Sequence, residues 1–375
     1  MNEVKNMNEF DIIVVGAGPG GSIAAKVAAE NGYTTCILEK ETVSENGRYK
    51  ACGGALAWEL VEEIDYPENK IGRIIESLEL HHVDGSNYSK KGKGAVVWRS
   101  TFDKFLMDMA IESGAHLEEK NALINITNNH DMYKIEAQEG SFQAKYVIAA
   151  DGVSSETLKK LQWPYFQSED LILTITKEMS TSKTHIDNTL GNDTVHLFFG
   201  KNLIPVGYAW LFPKEKTITV GWGNQINLIT NSRKEFDQFV NLEYVQNALV
   251  NSELSIFKPH LIPVGLRSIL YNERVFAVGD AGGIVDPISG KGIPYAMMSG
   301  KFAIEAIMKG EKRDKLDKLG SYYEQALDRN FLRILKAKRV ARDTIFQTDE
   351  NLKKFLSLWE NYRSSEIVMK KLMDK

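Results

Sequence analysis

The sequence contains little cysteine and no apolar stretch that could cross a bilayer. Cys36 and Cys52 are the only two cysteines among 375 residues. Two thiols cannot build a disulfide framework or a tetrahedral zinc site, so we expect a reducing, cytosolic compartment and no metal. The most apolar stretch, residues 12–25, is rich in glycine and ends at Lys26, which makes it too short for a membrane span. The first ten residues are polar and of mixed charge, unlike a signal peptide.

Neither sign of charge is in excess, and proline is scarce. The net charge is -4, there are 9 prolines, and 43% of the residues are hydrophobic. This composition is typical of a globular protein and argues against wholesale disorder. A slightly acidic chain is also a poor partner for nucleic acid, so we expect none. The length exceeds that of one compact core and predicts two domains.

The N-terminal segment has the pattern of a strand, a glycine-rich turn, a helix and a second strand. Residues 16–21, GAGPGG, fit the spacing GxGxxG between a predicted strand at 12–15 and a predicted helix at 22–30. Its glycines permit a tight turn, close approach of a pyrophosphate, and close packing of helix on strand. Glu39 closes the second strand, 23 residues after Gly16, where a ribose-binding acid is expected. The pattern predicts a dinucleotide site, and a glycine turn that merely packs is the alternative.

A second nucleotide signature lies far along the chain. Residues 275–293, VFAVGDAGGIVDPISGKGI, again combine a strand, a Gly-Asp pair, a glycine loop and the start of a helix. A simple dehydrogenase does not need this element, whereas the long FAD molecule does. We expect Asp280 to meet the ribityl chain or the pyrophosphate. The amides of 290–293 are expected to face the pyrimidine oxygen of the flavin and to stabilise negative charge on the reduced ring.

With these two signatures and an R…D..L pattern at Arg99, Asp103 and Leu106, the sequence resembles the FAD-dependent hydroxylase superfamily over roughly residues 10–310. That superfamily includes the geranylgeranyl reductases. The resemblance implies that Arg99 reaches the FAD. It also aligns residues 150–152, ADG, with the Asp-Gly element of the superfamily, for which a simple strand-ending turn is the alternative.

Two further motifs narrow the resemblance to the geranylgeranyl reductases. Cys52-Gly53-Gly54 is similar to their C-x-G-G loop, with one residue fewer before the last glycine, and residues 208–213, YAWLFP, fit their Y-x-W-x-F-P motif. The alternation puts Tyr208, Trp210 and Phe212 on one face of a strand. Such a face suits an isoprenoid chain, which only apolar contacts can bind, and sheet core is the alternative. Lys291 departs from the family, many members of which carry an acid there.

The resemblance implies that reduced FAD transfers hydride to isolated C=C bonds of geranylgeranyl chains, with archaeal-type ether lipids as the expected substrate. The proton would come from the flavin, from water or from a side chain such as Cys52, which would otherwise only pack or act as a redox partner. The alternatives are an FAD-dependent monooxygenase of a small aromatic, a menaquinone- or chlorophyll-type prenyl reductase, and a non-catalytic FAD- or lipid-binding protein.

The partners expected from the sequence are a prenylated lipid substrate and an electron donor. No second GxGxxG marks an NAD(P)H site, so ferredoxin and NAD(P)H are both left open. A basic run near the C-terminus consists of Arg333, Lys336, Lys338, Arg339 and Arg342. It could bind an acidic electron carrier or lipid headgroups, or it could be the solvated face of a helix. An apolar stripe is formed by Leu352, Phe355, Leu356 and Trp359. It could rest on the inner face of the cell membrane, which would make this cytoplasmic protein a peripheral one, or it could pack against the protein itself.

We therefore predict an α/β fold (α+β overall): a Rossmann-like FAD-binding domain, an inserted β-sheet-rich substrate domain and a C-terminal helical segment. The predicted ranges are 1–74, 95–160 and 268–312 for FAD binding, 75–94 and 161–267 for substrate binding, and 313–375 for the helical segment. The predicted cofactor-binding residues are Gly16, Ala17, Gly18, Gly20, Gly21, Glu39, Lys40, Ala51, Cys52, Gly54, Arg99, Ala122, Asp151, Gly152, Asp280, Gly290, Gly292 and Ile293. The predicted catalytic loop is Cys52, Gly53 and Gly54, and the predicted substrate-binding residues are Tyr208, Trp210, Phe212 and Pro213.

Overall fold

The computed structural model describes residues 8–129 and 131–361. The chain divides into two units: unit 1 comprises Met1–Tyr49, Ser100–Phe166 and Pro263–Lys336, and unit 2 comprises Lys50–Arg99, Gln167–Ile262 and Ala337–Lys375. The ends of two predicted ranges, 1–7 and 362–375, lie outside the described residues. Among the described helices, none has the length and apolar character needed to cross a membrane.

The helices and strands follow one another in an interleaved order. The strands are β1 (Asn8–Val15), β2 (Thr35–Leu38), β3 (Ala55–Ala57), β4 (Ile71–His82), β5 (Asn87–Val97), β6 (His116–Glu118), β7 (Leu123–Asn129), β8 (Met132–Ala137), β9 (Ser141–Ala149), β10 (Leu171–Ser180), β11 (Thr194–Gly200), β12 (Ile204–Pro213), β13 (Thr217–Gln225), β14 (Glu253–Pro263), β15 (Tyr271–Asn272) and β16 (Val275–Ala277). The helices are α1 (Pro19–Glu30), α2 (Trp58–Glu63), α3 (Arg99–Glu112), α4 (Glu156–Lys160), α5 (Lys183–Leu190), α6 (Ser232–Val240), α7 (Glu243–Leu249), α8 (Ile293–Lys312), α9 (Leu319–Leu327), α10 (Arg333–Ile345) and α11 (Asp349–Asn361).

Unit 1 is built on a sheet with the strand order β15-β16-β9-β1-β2-β6, to which β8 and β7 are added beside β9. From β16 to β6 every neighbouring pair is parallel. Both faces are buried, because Ile12 and Val14 belong to one apolar cluster while Ile13 and Val15 belong to the other. Burial on both faces explains why β1 is a continuous apolar run rather than an alternating one.

Helices α1 and α8 of unit 1 pack together through glycine. A Cβ atom on Gly300 would lie 2.1 Å from the carbonyl oxygen of Gly20, and one on Gly20 would lie 3.0 Å from that of Ala296. Only the absence of both side chains permits this approach. The contact involves the first turn of α1 and the first two turns of α8, so it places their N-terminal ends near each other.

Unit 2 is built on a second sheet with the order β14-β10-β13-β12-β11-β4-β5-β3. Its described strand pairs are antiparallel except that β11 runs parallel to β4. Helices α5, α6 and α7 cover one face of this sheet, where Ile186, Phe236 and Val245 join an apolar cluster with strand residues such as Leu211 and Trp222. The sequence predicted little helix here, and these three helices are short.

The predicted fold class is confirmed by these two sheets and their helices. The division of the chain differs from the predicted ranges by short shifts at 95–99, 161–166 and 263–267 and by two larger ones. Residues 50–74 belong to unit 2 because β3 and β4 are strands of its sheet. The segment after residue 312 does not form a unit of its own: it divides at 336, within α10. Strand pairing across a long stretch of sequence decides the first of these boundaries.

The apolar stripe and the basic run near the C-terminus were expected to contact a partner, but most of their side chains pack within the protein. Leu352, Phe355 and Leu356 are buried against the protein rather than displayed. In the basic run, Lys338 and Arg342 are buried, and Arg339 is paired with Asp170 at 2.7 Å. The run is therefore not a continuous basic surface, because half of each turn of α10 faces the core.

A buried histidine in unit 2 generates a prediction about pH. Burial lowers the pKa of His196 to about 4, and its Nε2–H donates to the carbonyl oxygen of Leu190 at 2.9 Å. The unfolded chain binds a proton near pH ~6.5, so between that pH and 4 the unfolded state holds more protons. Acidification from pH 7 to 5 should therefore cost about 2 kcal/mol of unfolding free energy through His196.

The measurement is urea unfolding at both pH values. His196→Gln retains a donor for Leu190 and should lose this part of the pH dependence, whereas the exposed His116→Gln should keep it. Equal pH dependence in the wild type and in His196→Gln would contradict the assignment.

Candidate functional site

The predicted cofactor-binding segments of unit 1 lie at one edge of its sheet. Gly16 follows β1, Glu39 follows β2, Asp151 follows β9 and Gly279 follows β16, and these four strands are parallel. The carboxyl ends of parallel strands share an edge, which is where open α/β sheets bind nucleotides. The structure thus brings together segments from the start, middle and end of the chain.

The turn between β1 and α1 requires glycine at both of its ends. Gly16 has φ +103°, and a Cβ on it would lie 2.5 Å from the carbonyl oxygen of Ala150. A Cβ on Gly21 would lie 1.9 Å from the carbonyl oxygen of Gly16. Pro19 begins α1, and no side chain caps the helix, so its first N–H groups are available to an anion.

Glu39 is buried and bound to the glycine turn. One carboxylate oxygen accepts the N–H of Ala17 at 2.8 Å, and the other accepts that of Glu41 at 3.0 Å. The carboxylate therefore fixes the turn beside the end of β2. Each oxygen retains a further lone pair, which suits the predicted hydrogen bonds to ribose hydroxyls. Lys40, which follows it, is exposed.

The sequence reading did not single out Arg48, which lies over the same turn. A Cβ on Gly18 would have one close neighbour, the Arg48 guanidinium at 3.3 Å, and the Arg48 Nη1 lies 3.7 Å from a carboxylate oxygen of Glu39. The Arg48 Nε is buried and has no partner in the described residues. A buried guanidinium nitrogen left unpaired beside an open glycine and a helix N-terminus fits the pyrophosphate of FAD. The sequence motifs do not include this arginine, because a loop separates it from Glu39.

The second signature forms a compact turn that leads into α8. Asp280 and Gly292 are close, since a Cβ on Gly292 would lie 3.7 Å from the Asp280 carboxylate. Gly292 precedes Ile293, the first residue of α8, and no side chain caps the helix. Contact of the N–H groups of this helix start with a flavin stays a prediction, and Lys291 is exposed.

The Asp-Gly element after β9 has a clear local role. One oxygen of Asp151 accepts the Ser155 hydroxyl at 2.5 Å, and the other accepts the N–H and hydroxyl of Thr157, both at 2.9 Å. Burial raises the pKa of the Asp151 carboxyl despite these bonds. The carboxylate thus supports the turn into α4, and contact of Asp151 or Gly152 with a cofactor stays a prediction.

The remaining predicted cofactor residues are placed less distinctively. Arg99 is buried in the first turn of α3, at the boundary between the units. Ala122 follows Asn121, whose N–H donates to the carbonyl of Glu39 at 2.9 Å, so it lies close to the glycine turn's acid. Ala51 is buried in unit 2.

The aromatic motif of unit 2 lies on the sheet face opposite the helices. Ala209 and Leu211 belong to the helix-covered cluster, so the alternating Tyr208, Trp210 and Phe212 point the other way. Adjacent rings along the strand are 5.9 and 6.3 Å apart. Opposite them on β13 stands Gly221, where a Cβ would lie 1.9 Å from the Trp210 ring. The missing side chain lets the indole lie flat across the neighbouring strand.

The glycine-cysteine loop lies against this aromatic face. A Cβ on Gly53 would lie 2.5 Å from the Phe212 ring and 3.3 Å from the Trp210 Nε1. Cys52 is partly exposed, and its sulfur accepts the N–H of Gly54 at 3.4 Å. The structure thus joins two motifs that are over 150 residues apart in the sequence, whereas Pro213 ends the strand and is buried.

Comparison with known proteins agrees with this geometry. Residues 66–329 match a family described as an FAD binding domain, and residues 11–85 match a second family with the same description. The chain is 30% identical over 340 residues to the digeranylgeranylglycerophospholipid reductase of Methanocaldococcus jannaschii, covering 86% of this chain and 82% of that protein. The corresponding protein of Methanosphaerula palustris is 30% identical over 92% of this chain and 88% of its own.

Solved structures are similar over nearly the whole chain. A geranylgeranyl bacteriochlorophyll reductase-like protein from Thermoplasma acidophilum has a TM-score of 0.86 and 25% identity, with 99% of this chain and 97% of that chain covered. The p-nitrophenol 4-monooxygenase of Pseudomonas putida has a TM-score of 0.74 at 15% identity, with 98% of each chain covered, which shows a common fold only.

Arg48 generates the prediction of this subsection. Replacing it by methionine should weaken FAD binding about tenfold or more, because a charge-assisted bond to a phosphate is worth roughly 1.5–3 kcal/mol. Fluorescence titration of the apoprotein with FAD measures the change. Arg274→Met is the matched control, since Arg274 is also partly buried in unit 1 but precedes β16 at the opposite sheet edge. Equal affinities for the wild type and Arg48→Met would remove Arg48 from the cofactor site.

Proposed function

Since this chain belongs to the geranylgeranyl reductase family and is an FAD-dependent oxidoreductase, we propose that it reduces the isolated carbon–carbon double bonds of geranylgeranyl chains on an archaeal-type ether phospholipid. Unit 1 supplies the cofactor-binding edge, and unit 2 supplies the face for the isoprenoid chain. The same proposal includes an electron donor, which is ferredoxin or NAD(P)H, and peripheral contact of the protein with the membrane.

The observation that carries this proposal is the aromatic face of unit 2. Three rings stand in a row on the side of the sheet that the helices leave uncovered, and Tyr208 and Phe212 remain partly exposed. An isoprenoid chain offers no polar group along its length, so a protein can bind it only through apolar area and shape. A row of rings supplies both at low conformational cost.

Two buried polar atoms on this face lack a hydrogen-bond partner among the described residues, as does the Trp222 Nε1 on the helix-covered face. They are the Trp210 Nε1 and the Thr176 Oγ1. Both stand opposite Gly221, so they belong to one row across β12, β13 and β10. Buried unpaired polar atoms are rare in completed cores, and a pair of them in one row is expected where a ligand or water completes a site.

Residues of this chain meet the requirements of the reaction that the cofactor itself does not supply. Bound FAD, once reduced, supplies hydride. An isolated double bond is not polarised, so it must be aligned and kept dry while a proton is supplied. The aromatic row aligns the double bond and excludes water from it. Gly53 lets the cysteine loop approach Phe212 closely, and Cys52 is the preceding residue of that loop.

The deciding experiment supplies chemically reduced protein, under argon, with a digeranylgeranyl glycerophospholipid in detergent. We expect a mass gain of two hydrogens for each double bond reduced, measured by mass spectrometry of the lipid. Addition of one oxygen atom to a small aromatic, seen only in air, would instead favour the monooxygenase. An unchanged lipid with full FAD occupancy would contradict the proposal.

Gly53 provides a test of the aromatic face. Gly53→Ala adds a methyl group where the Phe212 ring already lies, 2.5 Å away, so the ring must move. We expect at least a tenfold loss in kcat/KM for the lipid, since small misplacements of a bound substrate are costly. FAD content is measured on the same protein, so that the loss in kcat/KM is determined on FAD-loaded enzyme.

Gly92→Ala is the matched control for that test. Gly92 lies in β5 of the same unit, and nothing stands within 4 Å of a Cβ placed there. Its activity should equal that of the wild type. Wild-type kcat/KM in Gly53→Ala would show that the loop and the ring do not form the lipid site.

A further inference from the structure

Strand β5 carries three lysines close together at an edge of the second sheet. They are Lys90, Lys91 and Lys93, and the sequence has no acidic residue from 85 to 98. β4 pairs with β5 along its whole length, whereas β3 pairs only with residues 94–96. Among the described strands, none pairs with the outer edge of β5 before residue 94.

This open edge is poorly suited to the addition of another strand. Between its pairs with Ile75 and Ser77, β5 contains one residue more than β4, which is a β-bulge. Nearby, the N–H of Ser89 donates to a carboxylate oxygen of Glu360 in α11 at 2.9 Å. Bulges and lysines are devices by which sheet edges avoid pairing with other chains. The partner of this edge is therefore not expected to be a strand.

Two tryptophan rings lie against these lysines. The Lys93 Nζ lies 3.4 Å from the centroid of the Trp58 ring, and the Lys90 Nζ lies 5.7 Å from that of Trp359. Both rings are partly exposed. A tryptophan combines an apolar body with a polar edge, and a lysine stem lets the ammonium reach outward from an apolar surface. The two residue types together are typical of proteins at the interface between a membrane and water.

The same surface continues into the glycine-cysteine loop. β3 begins at Ala55, directly after Gly54, and α2 begins at Trp58, directly after β3. The N–H of Val97 donates to the carbonyl of Gly54 at 2.9 Å, which fixes the loop against the inner half of β5. A continuous stretch of chain therefore joins the loop beside the aromatic row to the first of the two tryptophans.

The charge of this surface complements anionic phospholipid. Lys91 and Lys93 are exposed, and the two acids closest to the tryptophans already have partners, since Glu62 accepts the Trp58 Nε1–H at 2.8 Å and Glu360 accepts the N–H of Ser89. Lysines at an anionic bilayer are attracted to its headgroups. An acidic carrier protein would attract them too, but it would not account for the tryptophans or for the connection to the loop.

We propose that this lysine–tryptophan surface, formed by Lys90, Lys91, Lys93, Trp58 and Trp359, docks on a bilayer that contains anionic phospholipid. This inference rests on the proposed function, in which the substrate is a membrane lipid and the protein a peripheral one. It moves the membrane contact from the apolar stripe of α11, three side chains of which are buried, to β5, α2 and the end of α11. Docking there brings the lipid close to the loop of residues 52–54.

The first test measures binding without turnover. The FAD-loaded full-length protein is floated with vesicles of diphytanyl phosphatidylcholine, alone or mixed with an equal amount of diphytanyl phosphatidylglycerol. These saturated lipids cannot be reduced, so binding is separated from catalysis. We expect the protein to float with the anionic vesicles and to dissociate as salt is raised, because salt screens exposed charges.

The lysines are tested by the variant Lys91→Gln/Lys93→Gln. It should lower the partition coefficient for the anionic vesicles about twentyfold, because each lysine at such a surface contributes about fivefold. Lys234→Gln/Lys258→Gln is the matched control, since both lysines are exposed in unit 2 but lie on α6 and on β14, the latter at the opposite end of the sheet. All four changes are on the surface, so FAD content and thermal unfolding should not change.

The aromatic part of the surface is tested by Trp58→Ala. It should weaken binding to the anionic vesicles about tenfold at low and at high salt alike, because salt does not screen the burial of apolar area. Phe257→Ala is the matched control, since this half-exposed ring on β14 also has a lysine beside it, with the Lys177 Nζ at 6.0 Å. Its binding should equal that of the wild type.

Two results would overturn the proposal: wild-type protein that does not float with the anionic vesicles, or Lys91→Gln/Lys93→Gln that binds them as tightly as the wild type. If that variant binds normally but is reduced more slowly by a reduced ferredoxin, the surface docks an acidic carrier instead. Wild-type protein that binds the vesicles but leaves a digeranylgeranyl lipid unreduced would contradict the proposed function and leave the docking surface supported.

Discussion

The parallel pairing of β1 with β2 on one side and β9 on the other is the constraint on which the cofactor site depends. It carries the ends of strands from three regions of the chain to one edge. There Glu39 accepts the N–H of Ala17, which fixes the glycine turn, and the uncapped N-termini of α1 and α8 are brought close by packing through Gly20 and Gly300. Free N–H groups, a buried arginine and little side-chain bulk make the edge suited to a long anionic cofactor.

In the proposed function the second sheet has a different task, which is to bind a chain that has almost no polar features. Its two faces are kept distinct by the alternation of side chains along β12. One face is a closed core under three helices, and the other bears the aromatic row. Glycine at positions 53 and 221 decides how closely the loop and the neighbouring strand approach the rings. The shape of the apolar surface therefore depends on side chains that are absent as much as on those present.

Buried charge is concentrated where the aromatic row ends. Placing Lys214 and Glu178 in a low-dielectric interior is costly, and the hydrogen bonds through Thr219 offset only part of that cost. Elsewhere in unit 2 the buried cations have structural partners: Arg73 pairs with Asp187 and binds a backbone carbonyl, and Arg342 binds the carbonyl of Glu169. The lysine differs from these arginines in its chemistry, because burial lowers its pKa and an ammonium, unlike a guanidinium, can lose its proton in a protein.

Local patterns in the sequence were enough to predict the glycine turn, the acid at the end of β2, the second signature and the one-sided aromatic strand, because each depends on residues close together in the chain. They could not place residues 50–74 in the second sheet, reveal Arg48 above Gly18, or show that α10 and α11 bury the side chains expected to meet a partner. Nor could they join Lys214 to Glu178. Those relations depend on strand register and on packing between distant segments, which arise only when the whole sheet forms and which no short stretch of sequence encodes.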